Sequence, residues 1–201
     1  MIKALFFDLG EVVMHGSFLA VYSRVGQKFG VDEHIILEYH RTNLADLLTG
    51  RITMRDMQAA FGLAEQMSTD EFLAVWTEAM TRVMRIDPAM LSLLNNLKGK
   101  YQLGALTNLT EHRYQFDLEQ GLYGYFDFTV LSFQVGVRKP EPAFYELGLA
   151  HVDAKPSEVV FIDDLAQNTE AAAALGMQTI LFTNYEDLIH ELKKLGVVAP
   201  V

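Results

Sequence analysis

Five short apolar runs punctuate the chain: "KALFFD" near the N-terminus, then "YQLGALTN", "DFTVLSF", "EVVFIDD" and "MQTILF". They are mostly continuous rather than alternating in polarity, the pattern of parallel strands covered on both faces by helices. Between them the apolar spacing turns helical, in "PAMLSLLNNLKG" from Pro88, "TEHRYQFDLEQG" after Thr110, "PAFYELGLA" from Pro142, and "NTEAAAALG", opened by Asn168 and closed by Gly176. Proline at a helix start and glycine just past its end are the expected punctuation. A strand, helix, strand repeat of this kind predicts an α/β fold. Its core is a doubly wound, Rossmann-like parallel sheet of five strands with right-handed crossovers.

The segment from about Gly16 to about Arg85 breaks that rhythm. It shows no strand pattern and reads as several amphipathic helices, interrupted near Gly30, at "LLTGRIT" and at "GLAEQMST", where Ser68 or Thr69 can cap the next helix. This predicts a helical insertion after strand one. The chain then divides into an α/β core of residues 1–15 and 86–201 and a helical unit of residues 16–85. Trp76, Phe72 and Leu73 read as the core of that unit, and the methionines at 54, 57, 67, 80, 84 and 90 as fillers of helix interfaces.

Composition narrows the function classes. Half of the residues are apolar and 21% are charged, so the chain can offset its ordering entropy by burying side chains. A formal charge of −10 argues against a nucleic-acid partner, because affinity for a phosphate backbone comes largely from Lys and Arg. The absence of cysteine removes disulfides, thiolate catalysis and Cys-ligated metals, and suits a reducing cytosol. The N-terminal run is interrupted by Asp8 and Glu11, has no small-residue cleavage site and is too short to span a bilayer. It reads as a buried strand, and no membrane partner is expected.

In an open parallel sheet, ligands bind outside the carboxyl ends of the strands. There the sequence places Asp8, then Thr107 and Asn108, then Lys139, then Asp163 and Asp164. Singly, each has an ordinary explanation as a helix cap, a turn residue or a solvated lysine. The doublet Asp163–Asp164 is harder to dismiss, since adjacent carboxylates after a hydrophobic strand repel unless a cation or a proton relieves them. A hard divalent ion such as Mg²⁺ does so, and it bridges to phosphate. With an aspartate to attack phosphorus, and a threonine and a lysine to hold phosphoryl oxygens, the set suits phosphoryl transfer, which needs mainly positioning and charge stabilisation.

Four stretches, "FFDLGEVV", "LGALTNLT", "GVRKPEPAFY" and "VVFIDDLAQN", resemble the four ordered motifs of the haloacid dehalogenase-like (HAD) hydrolase superfamily, and the helical insertion resembles its small cap domain. The resemblance covers nearly the whole chain. It implies a Mg²⁺-dependent phosphatase that hydrolyses a small phosphate monoester through an aspartyl-phosphate. By position it implies Asp8 as nucleophile, Thr107 and Asn108 as phosphate binders and Lys139 as charge stabiliser. Asp164 would be a metal ligand with Asp163 beside it, and the backbone carbonyl of Gly10 a further ligand.

One departure matters. Phosphatases of this superfamily usually carry a second Asp two residues after the nucleophile, where this chain has Gly10. Glu11 is the nearest substitute, although adjacent residues in an extended turn point in different directions. A leaving group more acidic than a simple alcohol would depend less on a proton donor, which suggests a sugar phosphate esterified at the anomeric position. Two alternatives stay open: a metal-independent haloacid dehalogenase, which also lacks the second Asp, and a non-catalytic phosphometabolite-binding protein. Polar candidates for substrate recognition are His15 and Ser17 at the first junction and His40, Arg41, Asn43 and Arg51 within the insertion.

Overall fold

The computed structural model describes residues 1–197. In chain order the first elements are β1 (Ala4–Phe7), β2 (Met14–His15), α1 (Phe18–Phe29), α2 (Glu33–Leu48), α3 (Met54–Ala60), α4 (Thr69–Val83) and β3 (Arg85–Ile86). There follow α5 (Pro88–Leu97), β4 (Gln102–Thr107), α6 (Glu111–Glu119), β5 (Phe128–Leu131), α7 (Ser132–Val135), α8 (Pro142–Leu149), β6 (Val159–Asp163), α9 (Ala166–Ala174), β7 (Gln178–Leu181) and α10 (Tyr185–Lys194). All five apolar runs are strands. They form one parallel sheet in the order β5-β4-β1-β6-β7, so β1 is central and the chain winds outward from it in both directions.

Alternation along the strands explains the two covering layers. Leu5 and Phe7 of β1 and Val160 and Ile162 of β6 pack with Leu94 of α5, Phe116 of α6 and Leu192 of α10. Ala4, Phe6 and Phe161 face the other way, against Phe144 and Tyr145 of α8 and Ala172 of α9. At Gly104 of β4 a Cβ would press on the edge of the Phe128 ring, which meets Phe6 edge-on at 5.5 Å.

Helices α1 to α4 break where the sequence suggests. Gly30 ends α1 at φ 67°, in the left-handed region glycine favours, and Ser68 caps α4 in a reciprocal box with Glu71. Their inward faces, including Val21, Ile36, Phe72 and Trp76, are buried in the same apolar cluster as Leu5 and Phe7. Met54, Met57, Met80, Met84 and Met90 are buried there too.

Four details differ from expectation. A two-stranded antiparallel ribbon, Met14 against Ile86 and His15 against Arg85, closes the neck of the helical segment; two-residue strands carry no periodicity to read. The last helix, α10, is signalled by the Asn184 cap on Asp187 and by buried Leu188 and Leu192 one turn apart, and falls outside the predicted set. Helix α9 starts at Ala166 rather than Asn168, because the Asn168 side chain is directed to Asp163 instead of capping. Strand β5 ends at Leu131, and Ser132 and Phe133 already belong to α7. Among the described residues no helix is long and apolar enough to cross a membrane.

Candidate active site

The site lies where the winding of the sheet reverses, at the carboxyl ends of β1, β4 and β6. Strand pairing continues through Asp8, whose N–H donates to the Ile162 carbonyl at 2.9 Å. Lys139 reaches in from the loop before α8 and is 2% exposed. Its Nζ lies 2.8 Å from Asp8 Oδ1 and 2.6 Å from Asp163 Oδ2. The Lys139 backbone is clamped from both sides by Asn108: the Lys139 N–H donates to Asn108 Oδ1 at 2.8 Å, and Asn108 Nδ2 donates to the Lys139 carbonyl at 2.9 Å. The second oxygen of Asp163 accepts from the Leu165 N–H and from Asn168 Nδ2, each at 2.9 Å. Tyr145 OH in turn donates to the Asn168 carbonyl at 2.9 Å.

Asp8, Asp163 and Asp164 bring carboxylate oxygens within 4.8 Å of one another. One lysine faces three carboxylates, so the cluster carries excess negative charge. Burial pushes Asp164 up to about 6, helped by Asp8 and Asp163. Asp163 is likewise raised by burial, with Lys139 opposing. Burial alone would depress Lys139, but Asp8 and Asp163 outweigh it and hold the ammonium above its ordinary value. An all-oxygen donor set with surplus charge fits a hard divalent cation. Asp163 is already engaged by three protein donors, whereas Asp8 Oδ2 is uncommitted among the described residues and the Asp164 carboxylate is met by its own backbone N–H.

The other candidates separate clearly. Thr107 ends β4, is 3% exposed and lines the cleft over Asp8 together with Gly10. Asn108 lines it as well, but its amide serves Lys139, a task that needs a partner 31 residues away and leaves no mark in local sequence. Gly10 is not in the left-handed region, and a Cβ there would meet only Asp8 Oδ2, at an ordinary 3.8 Å. Nothing in the backbone therefore requires glycine. Glu11, at φ 54°, is exposed and lies 3.3 Å from His15 Nδ1. Ser17 caps α1, Arg41 pairs with Glu38, Arg51 with Asp46, and Asn43 donates to the Tyr39 carbonyl. Of the polar candidates in the helical segment, His40 alone lines the cleft.

The opposite wall holds residues that sequence reasoning passed over. Phe18 and Tyr22 of α1 and Leu44 and Leu48 of α2 face the cleft, with His112 and Arg113 of α6. Behind them, Tyr22 stacks on His40 at 4.6 Å, and Trp76 packs on His112 at 4.5 Å and on His40 at 5.3 Å. Burial lowers His40 to about 4 and His112 well below the usual histidine value, so both rings are neutral near neutral pH. Arg113 is sealed by Asp117 at 2.7 Å, and Tyr123 OH donates to the other Asp117 oxygen. The spacing of Arg113 and Asp117, one helical turn apart, was the available signal.

A haloacid dehalogenase-like hydrolase family model matches residues 2–176. The chain belongs to that family. The hydrolase is 31% identical over 155 residues to the sesquiterpene phosphatase astK of Aspergillus oryzae, covering 73% of this chain and 75% of that protein. It is 46% identical over 71 residues to bifunctional epoxide hydrolase 2 of Mus musculus, 35% of this chain. The chain spans between 13% and 39% of the length of the epoxide hydrolase relatives it matches. A magnesium complex of a HAD family enzyme from Bacteroides thetaiotaomicron superposes with a TM-score of 0.78 at 25% identity, covering 96% of this chain and 98% of that one. A structure of the same Bacteroides enzyme with magnesium and inorganic phosphate gives a TM-score of 0.77 at 22% identity, covering 94% and 99%.

Proposed function

We propose that this hydrolase is a Mg²⁺-dependent phosphatase of small phosphate monoesters, working through an aspartyl-phosphate on Asp8, with residues 16–85 acting as a cap over the core. One observation carries the reading. Asp8 is held by Lys139 through Oδ1 while Oδ2 stays uncommitted beside the Asp163–Asp164 pair, a nucleophile poised in a site that suits a cation. The relatives include a sesquiterpene phosphatase and a ribulose-1,5-bisphosphate 5-phosphatase, and their different leaving groups support the reaction class rather than one substrate.

In this reading an Asp8 oxygen attacks phosphorus, the bond from phosphorus to the ester oxygen breaks, and the alcohol leaves. Water then attacks phosphorus, releases inorganic phosphate and regenerates the carboxylate. Lys139 orients Asp8 and offsets charge, and Asn108 fixes Lys139 in that position. Thr107 and the backbone of the following turn hold a phosphoryl oxygen. Asp8, Asp164 and the Gly10 carbonyl would hold Mg²⁺, which would supply charge neutralisation at the phosphoryl group. With glycine at position 10 the departing oxygen takes its proton from solvent, which favours leaving groups of low basicity. A sugar phosphate at the anomeric position meets that requirement of acidity, but its hydroxyls would face the apolar side chains Phe18, Tyr22, Leu44 and Leu48.

Gly10 also supports a second reading, a phosphometabolite-binding protein without turnover. Phosphate release from a panel of small esters, with Mg²⁺ and with a chelator, for the native protein and Asp8→Asn, separates the two. Release that needs both Mg²⁺ and Asp8 is the expected result. Tight phosphate binding without release supports the binding reading, and chelator-insensitive release of halide from haloacids would replace both with dehalogenation.

A further inference from the structure

We infer that the cleft above Asp8 takes an apolar, uncharged leaving group, an alkyl or aryl alcohol, in preference to a polyhydroxylated sugar. The inference rests on the phosphatase reading and names the substrate class of the same site. The cleft has a volume of about 310 Å³, with Asp8 in its wall. At the volume per molecule of liquid water, that space holds roughly ten non-hydrogen atoms, a phosphoryl group and a ring or short chain. The organic part faces Phe18, Tyr22, Leu44, Leu48 and Leu109. Phe18 is 38% and Leu44 44% exposed, so apolar surface borders a carboxylate site.

Most of the polar side chains around this space are already engaged. The Asn108 amide is taken by the Lys139 backbone, Arg113 by Asp117, His112 Nε2 faces Thr110 Oγ1 at 3.1 Å, and His40 Nδ1 faces the Ile36 carbonyl at 3.2 Å. The remaining ring nitrogens, His40 Nε2 and His112 Nδ1, have no partner among the described residues, but both atoms are buried although their rings border the cleft. Hexose hydroxyls entering the cleft would exchange water for hydrocarbon and find few donors or acceptors, an outcome that costs affinity at each unpaired group. A second phosphate or a carboxylate on the leaving group would meet a single cationic side chain in the lining, Arg113, whose charge is already offset by Asp117 at 2.7 Å. Hydrocarbon meets none of these penalties.

The test compares kcat/KM for n-hexyl phosphate and glucose 6-phosphate with Mg²⁺. Both leaving groups are primary alcohols, so the ratio isolates the polarity of the cleft from leaving-group acidity. Phenyl phosphate adds an aryl arm, and acetyl phosphate, whose acyl group needs almost no cleft, reports the phosphatase chemistry itself. The expected result is a preference of about 10²-fold or more for hexyl or phenyl phosphate over glucose 6-phosphate. Leu44→Asn and Phe18→Ser, both at partly exposed positions, should each cut that ratio about tenfold. Acetyl phosphate turnover with glucose 6-phosphate equal to or better than the apolar esters overturns this inference alone. No Mg²⁺-dependent turnover of any ester, acetyl phosphate included, overturns the phosphatase reading and the inference with it.

Discussion

On the sheet side of the cleft, Asp8, Lys139 and Asp163 each sit within 2.8 Å of an opposite charge. On the facing side, where α1, α2 and α4 meet α6, His40 Nε2, His112 Nδ1 and Trp76 Nε1 are buried without partners among the described residues. The difference follows from charge. An ionised group cannot be buried uncompensated, whereas a neutral amphipathic ring tolerates one orphaned nitrogen at moderate cost when its faces are well packed. One wall is thus fixed by electrostatics and the other by packing, a division suited to holding a constant phosphoryl group against a variable leaving group.

Lys139→Met should break the first wall most severely. It leaves three clustered carboxylates without their lysine, and kcat/KM should fall about 10²–10³-fold, the effect of removing one charge-stabilising group. The folded state should lose about 3–5 kcal/mol, as when one partner of a buried ion pair is deleted. Near-native activity together with near-native denaturant stability would remove Lys139 from the site's charge balance.

The second wall should respond to acid instead. His40 titrates at about 4 in the folded chain against an ordinary 6.5, so between those values the unfolded chain binds a proton that the folded chain does not. Stability should therefore fall as pH drops through that window, by about 3 kcal/mol in total from His40, with His112 adding in the same direction. His40→Gln should be less sensitive over the same range in denaturant titrations. An unchanged pH slope in that variant would mean the ring is not held neutral by burial.

Gly10→Asp sharpens the comparison from between the walls. The position has room and an unstrained backbone, so a carboxyl there should protonate a basic leaving group. Alkyl ester kcat/KM should rise about 10²-fold at saturating Mg²⁺, with a smaller gain for aryl esters. Equal gains for both, or none in a folded variant, would show that leaving-group protonation does not limit the native protein. The smallest effect belongs to Tyr145→Phe, which removes the donor to the Asn168 carbonyl behind Asp163. It should lower stability by about 1 kcal/mol, measured by thermal denaturation, and leave the Mg²⁺ dependence of turnover in place.

The charged wall was legible in the sequence because its members end strands: Asp8, Thr107 and Asp163 follow apolar runs that topology brings side by side. The aromatic wall was not. His40 alone of its members stood out as a polar candidate; Tyr22, Trp76 and His112 fit an amphipathic pattern equally well as plain core, and since the four come from four helices only tertiary packing shows that they meet. The same limit hid the clamp of Asn108 on Lys139 and the use of Asn168 by Asp163, which look locally like a turn residue and a helix start. Glu11 was legible through direction alone: a residue next to Gly10 in a tight turn aims elsewhere, and it meets His15.

Quenching turnover of phenyl phosphate in acid and mapping the bound phosphoryl group by peptide mass spectrometry decides whether Asp8 is the nucleophile. One phosphoryl group is expected on the peptide containing Asp8, formed only with Mg²⁺ and absent from Asp8→Asn. A phosphoryl group on another residue, or full phosphate release by Asp8→Asn, would contradict that role for Asp8.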